Sequence, residues 1–204
     1  MGSLGFRATF YDIIGYMIPG TMALFVGWAY VFTWGDIVFA KKIMRLVVSN
    51  LGFSLMLLAA AGYICGHAVN ALSSFALELP IRKWFMKDWK DWTSRIDERK
   101  LKRVNEIADK EFGVSAKELN AFDIRTRMEA KLPGPAVTSL CFLSYYGMSR
   151  NLVALAILAA PIAFTISWYQ GAVVLSSACL FWYQYRRFVI YYYDSLGSSL
   201  MMEA

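Results

Sequence analysis

The chain has 204 residues, 58% of them apolar, and a formal net charge of +6. Soluble domains hold about 45–50% apolar residues even with glycine counted, so the excess points to lipid as the solvent. A single histidine excludes, within one subunit, a two-histidine metal site, a Ser-His-Asp triad and a zinc-protease motif.

A bilayer core about 30 Å thick takes about 20 residues of helix at about 1.5 Å each. Four stretches meet or approach that length: Ile13 to Trp34, Leu51 to Leu77, Asn151 to Tyr169, and Gly171 to about Tyr185, the last extended by Phe188 to Tyr193. The expected fold is therefore an all-α integral membrane protein of four transmembrane helices. The first stretch does not read as a signal peptide: its apolar part is too long, Asp12 stands at its entrance, and Arg7 is the only basic side chain before it.

Lysine and arginine set orientation, because they are retained on the cytoplasmic side. With four spans, one face holds both termini, the segment from Glu78 to Arg150, and 18 basic residues; the other holds Lys41, Lys42 and Arg45. That asymmetry predicts both termini in the cytoplasm. The positive charge then describes a surface drawn to anionic lipid. No basic helix has nucleic-acid motif spacing, so direct nucleic-acid binding is not expected.

The first span, "DIIGYMIPGTMALFVGWAYVF", carries a Pro-Gly pair inside an apolar run. Pro19 lacks the N–H that would bond the Gly15 carbonyl, and its ring crowds that carbonyl. Gly15 and Gly20 soften the crowding, and Thr21 or Tyr16 are the local candidates to satisfy the freed oxygen. Starting the helix at Pro19 leaves about 24 Å to Trp34, too short for the bilayer. The expectation is a kinked span with Phe10 to Ile18 tilted along the cytoplasmic interface. Asp12 then lies at headgroup level near a positive helix end, as a cap, as a salt-bridge partner of a cytoplasmic arginine, or as a proton or cation site.

After this span, "GDIVFAKKIMRLVVSN" reads as a short non-cytoplasmic connection. Its Ile37, Val38, Ile43 and Met44 with Lys41, Lys42 and Arg45 predict a turn or two at the interface. In the second span Gly62, Gly66, Asn70 and Ser74 recur every four residues and share a helix face. Such a small-residue face lets another helix approach closely, while Asn70 or His67 can hydrogen-bond across the contact. Two readings stand: packing within one subunit, or a subunit interface or polar lining in which Asp12 and His67 join a path. Pro80 predicts a bend where this span ends.

Residues 81–135 form the expected cytoplasmic part, between the spans of residues 1–80 and those of 136–204. Ile81, Trp84, Phe85, Trp89, Trp92, Ile96, Val104, Ile107 and Phe112 describe one face of an amphipathic helix. Trp84, Trp89 and Trp92 with Lys87 and Lys90 suit a membrane surface. From about Asp97 the helix is too charged for that and projects into the cytoplasm. Gly113 is placed to stop it, and Ser115 with Glu118 fits a capping box opening a second helix from about Ala116 to Ala130, which "LPGP" ends. A hairpin of about fifty residues is too small to own a large core, so it calls for a partner such as membrane, a sister subunit or a cytosolic protein.

Ala136 to Tyr146 is short for a span and reads as an interfacial or re-entrant helix leading to Arg150. If it extends the third span instead, Arg150 sits inside the bilayer and needs a partner. Spans three and four are joined by about two residues near Gln170 and Gly171, which forces an antiparallel pair. Cys65, Cys141 and Cys179 are widely spaced and without a Cys-x-x-Cys pair, so they read as small core-filling thiols. Phosphate-binding glycine loops are missing from the sequence as well, so neither enzymatic activity nor a cofactor is expected.

The stretch "FYDIIGYMIPGTMAL", residues 10–24, with Asp12 before the helix and Pro-Gly within it, resembles small four-span inner-membrane proteins of bacteria. Several of these are membrane components of anti-phage defence systems, the membrane subunits of Kiwa-type systems among them. The resemblance covers about fifteen apolar residues. It implies a non-enzymatic membrane sensor or effector working with a cytosolic partner, and it assigns no functional residue. The Gly62, Gly66 and Asn70 face, the proline-broken first helix and the small hairpin add the expectation of a homo-oligomeric scaffold. A small channel or transporter, or a pore-forming effector, is the alternative expectation.

Overall fold

The computed structural model describes residues 12–35, 37–78, 98–115 and 133–201, and every regular element among them is helical. A π-helical turn, Ile13–Met17, leads into α1 (Ile18–Trp34); α2 (Ile37–Ser49) connects to α3 (Leu51–Ser73), which runs on into a second π-helical turn, Ser74–Glu78. Then come α4 (Glu98–Phe112), α5 (Pro133–Ile166) and α6 (Trp168–Met201). Three segments are long and apolar enough to cross a membrane: Ile13–Trp34, Leu51–Leu77 and Thr138–Ile166. The protein is thus all-helical in its described residues, with the character of a membrane protein. α6 is as long as α5 but falls below the other three in mean hydropathy, because Gln170, Gln184, Arg186, Arg187 and several tyrosines interrupt it.

Backbone contacts divide the chain into two units, Met1–Glu78 with Ser144–Tyr185, and Leu79–Leu143 with Arg186–Ala204. In the first unit, α1 and α3 approach through glycine. A Cβ on Gly20 would run into the backbone of Gly62 and Gly66, and one on Gly66 into the Tyr16 carbonyl. Only a residue without a side chain lets two helix backbones come this close. Around this contact Val69, Leu152 and Leu155 form a core with Ala23, Met148 and Phe181 packed on it.

α5 and α6 are antiparallel partners. Within the first unit Tyr146 meets Tyr185, with ring centroids 5.3 Å apart, and Phe164 lies against Gly171. The break between the helices is Ser167 alone, whose Oγ accepts the Gln170 N–H at 3.1 Å as an N-cap. This corrects the joint expected near Gln170 and Gly171. Gly171 lies inside α6, where the Phe164 ring occupies the space a Cβ would need.

In the second unit Ser139 and Ser195 hydroxyls are 2.7 Å apart and Phe142 packs on Tyr191 at 5.5 Å. Val104 and Ala108, one turn apart on α4, are fully buried, as is Leu196. Gly113, at φ +66°, ends α4 in the left-handed conformation that its position foretold.

Two further expectations change. The connection after the first span is a 13-residue helix rather than a turn or two. Residues 136–150 belong to the single 34-residue helix α5 rather than to a separate interfacial segment, since nothing between Pro133 and Ile166 interrupts the backbone ladder except Pro161. The bend at Pro80, the Trp84, Trp89 and Trp92 face with Lys87 and Lys90, and the helix from Ala116 to Ala130 lie outside the described residues.

Candidate functional site

The polar side chains of the apolar helices gather at one place. Asn151 of α5 is completely buried, and its Nδ2 donates to the Gly15 carbonyl at 3.2 Å. That carbonyl is the one Pro19 cannot reach with an N–H. A second side-chain bond joins α1 to α5, where the Tyr30 hydroxyl donates to the Leu158 carbonyl at 2.7 Å, three residues before Pro161. The carbonyl freed by Pro19 is thus served by a side chain from a neighbouring helix, as polar backbone at membrane depth requires.

Around Asn151 the bonds continue. The Ser73 hydroxyl, also fully buried, lies 2.5 Å from Asn151 Oδ1 and 3.1 Å from its own Asn70 carbonyl. Arg150, only 5% exposed, donates from Nη2 to Asn70 Oδ1 at 2.5 Å and points Nη1 at the Tyr146 hydroxyl at 3.4 Å. Asn151 Nδ2 reaches the same Asn70 oxygen at 3.5 Å. Two donors converging on one atom identify it as the amide oxygen and fix the Asn70 orientation. Tyr146 in turn packs on the buried Tyr185, which stacks on Trp182 at 5.0 Å.

The result is a knot tying the start of the first helix, the end of α3 and the middle of α5. Its depth follows from residue counts. At about 1.5 Å per residue, Gly15 lies about 29 Å from Trp34, Asn70 about 29 Å from Leu51, and Arg150 about 24 Å from Ile166. On the first and second candidate spans the knot thus lies about a bilayer thickness from the far end, whereas on α5 Arg150 lies inside the candidate span Thr138–Ile166. A guanidinium within an apolar span needs partners, and Asn70 Oδ1 and the Tyr146 hydroxyl supply them.

The residues singled out from the sequence are distributed as follows. Gly62 and Gly66 are buried against α1 of the same chain, where a Cβ on Gly62 would lie 2.7 Å from Thr21 Oγ1. Asn70 joins the knot, whereas Ser74 opens the second π-helical turn and its neighbour Ser73 makes the buried bonds. Pro19 occupies the second position of α1, directly after the wide turn Ile13–Met17. Its bonds skip one residue further than α-helical ones, as from the Ile18 N–H to the Ile13 carbonyl, so the helix continues past the proline. Asn151, not Thr21 or Tyr16, serves the Gly15 oxygen. Asp12 makes no capping hydrogen bond. His67 is exposed, stacked on Tyr16 at 4.0 Å and set edge-on to Tyr63 at 4.6 Å, and makes no bond in the knot.

Sequence reasoning passed over Asn151 and Ser73. Of its two readings of Arg150, the continuous helix α5 agrees with the one in which Arg150 lies within the extended third span and needs a partner, and that partner is Asn70. The signal was an Arg-Asn pair opening an apolar run of 13 residues, Leu152 to Phe164. Among the described residues no group of three His, Cys, Asp or Glu side chains comes together to hold a metal. Comparison of the chain with protein families, with characterised proteins and with solved structures gives no match.

Proposed function

We propose that the protein is a non-enzymatic, oligomeric scaffold or sensor of the bacterial inner membrane that docks a cytosolic partner through residues 81–131. In this reading it crosses the membrane four times with both termini cytoplasmic. The fourth span is Trp168 to Tyr185, about 26 Å of α6, shorter than the other three.

The observation that carries the reading is the knot. Its polar groups bond one another inside one chain, with Ser73, Arg150 and Asn151 buried, which ties three helices together and supports a structural role for the knot. The outward sides of the first two spans remain apolar, with Phe25, Phe32, Leu55, Met56, Ile64 and Leu72 exposed. Such sides suit lipid or a second copy of the chain. A π-helical turn held by a single side-chain amide is a joint whose geometry depends on how the helices pack, which suits a sensor of membrane perturbation. The link to anti-phage defence comes from the resemblance of residues 10–24.

The test is the mass of the complex extracted in mild detergent from its host, with co-purifying proteins identified, beside ion flux through the purified protein in liposomes. A defined homo-oligomer carrying a cytosolic protein, without flux, is the expected result. Flux by the protein alone, lost in Asp12→Asn or His67→Ala, would overturn the reading in favour of a channel, transporter or pore-forming effector.

A further inference from the structure

The connection between the first two candidate spans has a chemistry of its own. α2 carries Lys41, Lys42 and Arg45 and no acidic residue; Asp36, the one acid of the connection, precedes it in sequence. Helical spacing gathers Val38, Lys41, Lys42, Arg45 and Ser49 on one side, where with Leu46 they line a crevice of about 600 Å³. The opposite side is apolar: Ile43, Met44 and Val47 face Leu24, Phe25, Trp28 and Leu58 of α1 and α3 across a smaller hollow of about 280 Å³.

Chain connectivity decides where this helix lies. α2 begins three residues after Trp34 and α3 begins two residues after Ser49, so both of its ends are tied to segments long and apolar enough to cross a membrane. It is held in the headgroup zone whichever side of the membrane that is. Trp28, Tyr30 and Trp34 on α1 mark the same level, where amphipathic rings concentrate. Beside the cations, Val38 is 75%, Leu46 62% and Val48 68% exposed, apolar surface that the chain itself does not cover. Three cations interleaved with uncovered apolar side chains match a phosphate layer lying over acyl chains.

We propose that α2 is a binding surface for anionic phospholipid, with Lys41, Lys42 and Arg45 holding headgroup phosphates while Val38, Leu46 and Val48 enter the acyl boundary. The proposal rests on insertion of the two flanking helices and is independent of subunit number and of any cytosolic partner.

The whole protein, purified in a neutral detergent, is titrated with phosphatidylglycerol or phosphatidylcholine, and bound lipids are counted by native mass spectrometry. Lys41→Gln/Lys42→Gln/Arg45→Gln is compared with Lys102→Gln/Arg103→Gln/Lys110→Gln, which removes the same charge from α4. The α2 variant is expected to bind phosphatidylglycerol about tenfold more weakly or worse, with phosphatidylcholine unaffected, whereas the α4 variant keeps its tight sites. Lys41→Arg/Lys42→Arg keeps the charge and is expected to keep the lipid. On the wild type alone, raising salt from 0.05 to 0.5 M is expected to weaken phosphatidylglycerol binding selectively. Equal losses in the α2 and α4 variants, or salt-independent binding by the wild type, would overturn the proposal. So would an α2 variant that retains its lipid but changes subunit number, which would assign the surface to a second copy of the chain.

Discussion

Replacing Asn151 by leucine removes the amide that donates to the Gly15 carbonyl and accepts from Ser73. The Ser73 hydroxyl falls back on the Asn70 carbonyl, already 3.1 Å away, so its loss is small. The Gly15 carbonyl has no such fallback on Pro19. Side-chain hydrogen bonds in membrane proteins average about 0.6 kcal/mol and reach about 1.7, while a buried acceptor left unmet costs about 1–3 kcal/mol. The expected destabilisation is therefore about 1–2 kcal/mol, a factor of about 5–30 in the unfolding equilibrium. Pro19→Ala restores an N–H at position 19 that can bond the same carbonyl in α-helical register. In that background Asn151→Leu should cost about 1 kcal/mol less, a coupling that a double-mutant cycle resolves. Equilibrium unfolding in mixed dodecyl sulfate micelles, followed by tryptophan fluorescence, supplies the four free energies. An equal cost of Asn151→Leu with and without Pro19 would refute the idea that Asn151 stands in for the missing proline donor.

Gly66→Ala forces a methyl group against the Tyr16 carbonyl and should destabilise by about 1–3 kcal/mol, as overpacking does, whereas Gly27→Ala, with open space around it, should be neutral or stabilising by up to about 1 kcal/mol; the same unfolding assay compares them. Asn70→Leu strips the acceptor from Arg150 Nη2 and should cost about 1.5–3 kcal/mol while leaving subunit number in detergent unchanged, because its partners belong to its own chain. For topology, a membrane-impermeant maleimide applied to intact cells should label Ser49→Cys and spare Ser115→Cys, and labelling of both would exclude the four-span arrangement. Tyr30→Phe removes the bond to the Leu158 carbonyl and should destabilise by about 0.5–1.5 kcal/mol in the unfolding assay, with no change in extracted mass.

Apolar run length and helical periodicity are local properties, and they sufficed to read the chain as helices of membrane-crossing length, with Gly113 ending one of them. Gly62 and Gly66 were legible as points of close approach because a missing side chain constrains its surroundings wherever the partner lies, whereas Gly20, read only as relief for Pro19, proved to be their partner. Pro19 likewise announced, from covalent structure alone, that the Gly15 carbonyl would need another donor. Tertiary structure alone could choose that donor. Asn151 is 136 residues away in sequence, and no periodicity links the two. The same holds for Arg150, whose charge reads from sequence as a topology marker and whose place beside Asn70 depends on where α5 crosses the ends of the first two spans. Ser73 rather than Ser74 entered the knot because residues three and four apart share a helix face, and only the position of Asn151 selects between them. The joint at Ser167 was equally hidden, since a capping serine can close a helical pair without the glycine that marked the expected turn. What the residues specified individually was their need for partners, set by hydrogen-bonding valence and side-chain volume; which partners met those needs was decided by the register in which the helices pack.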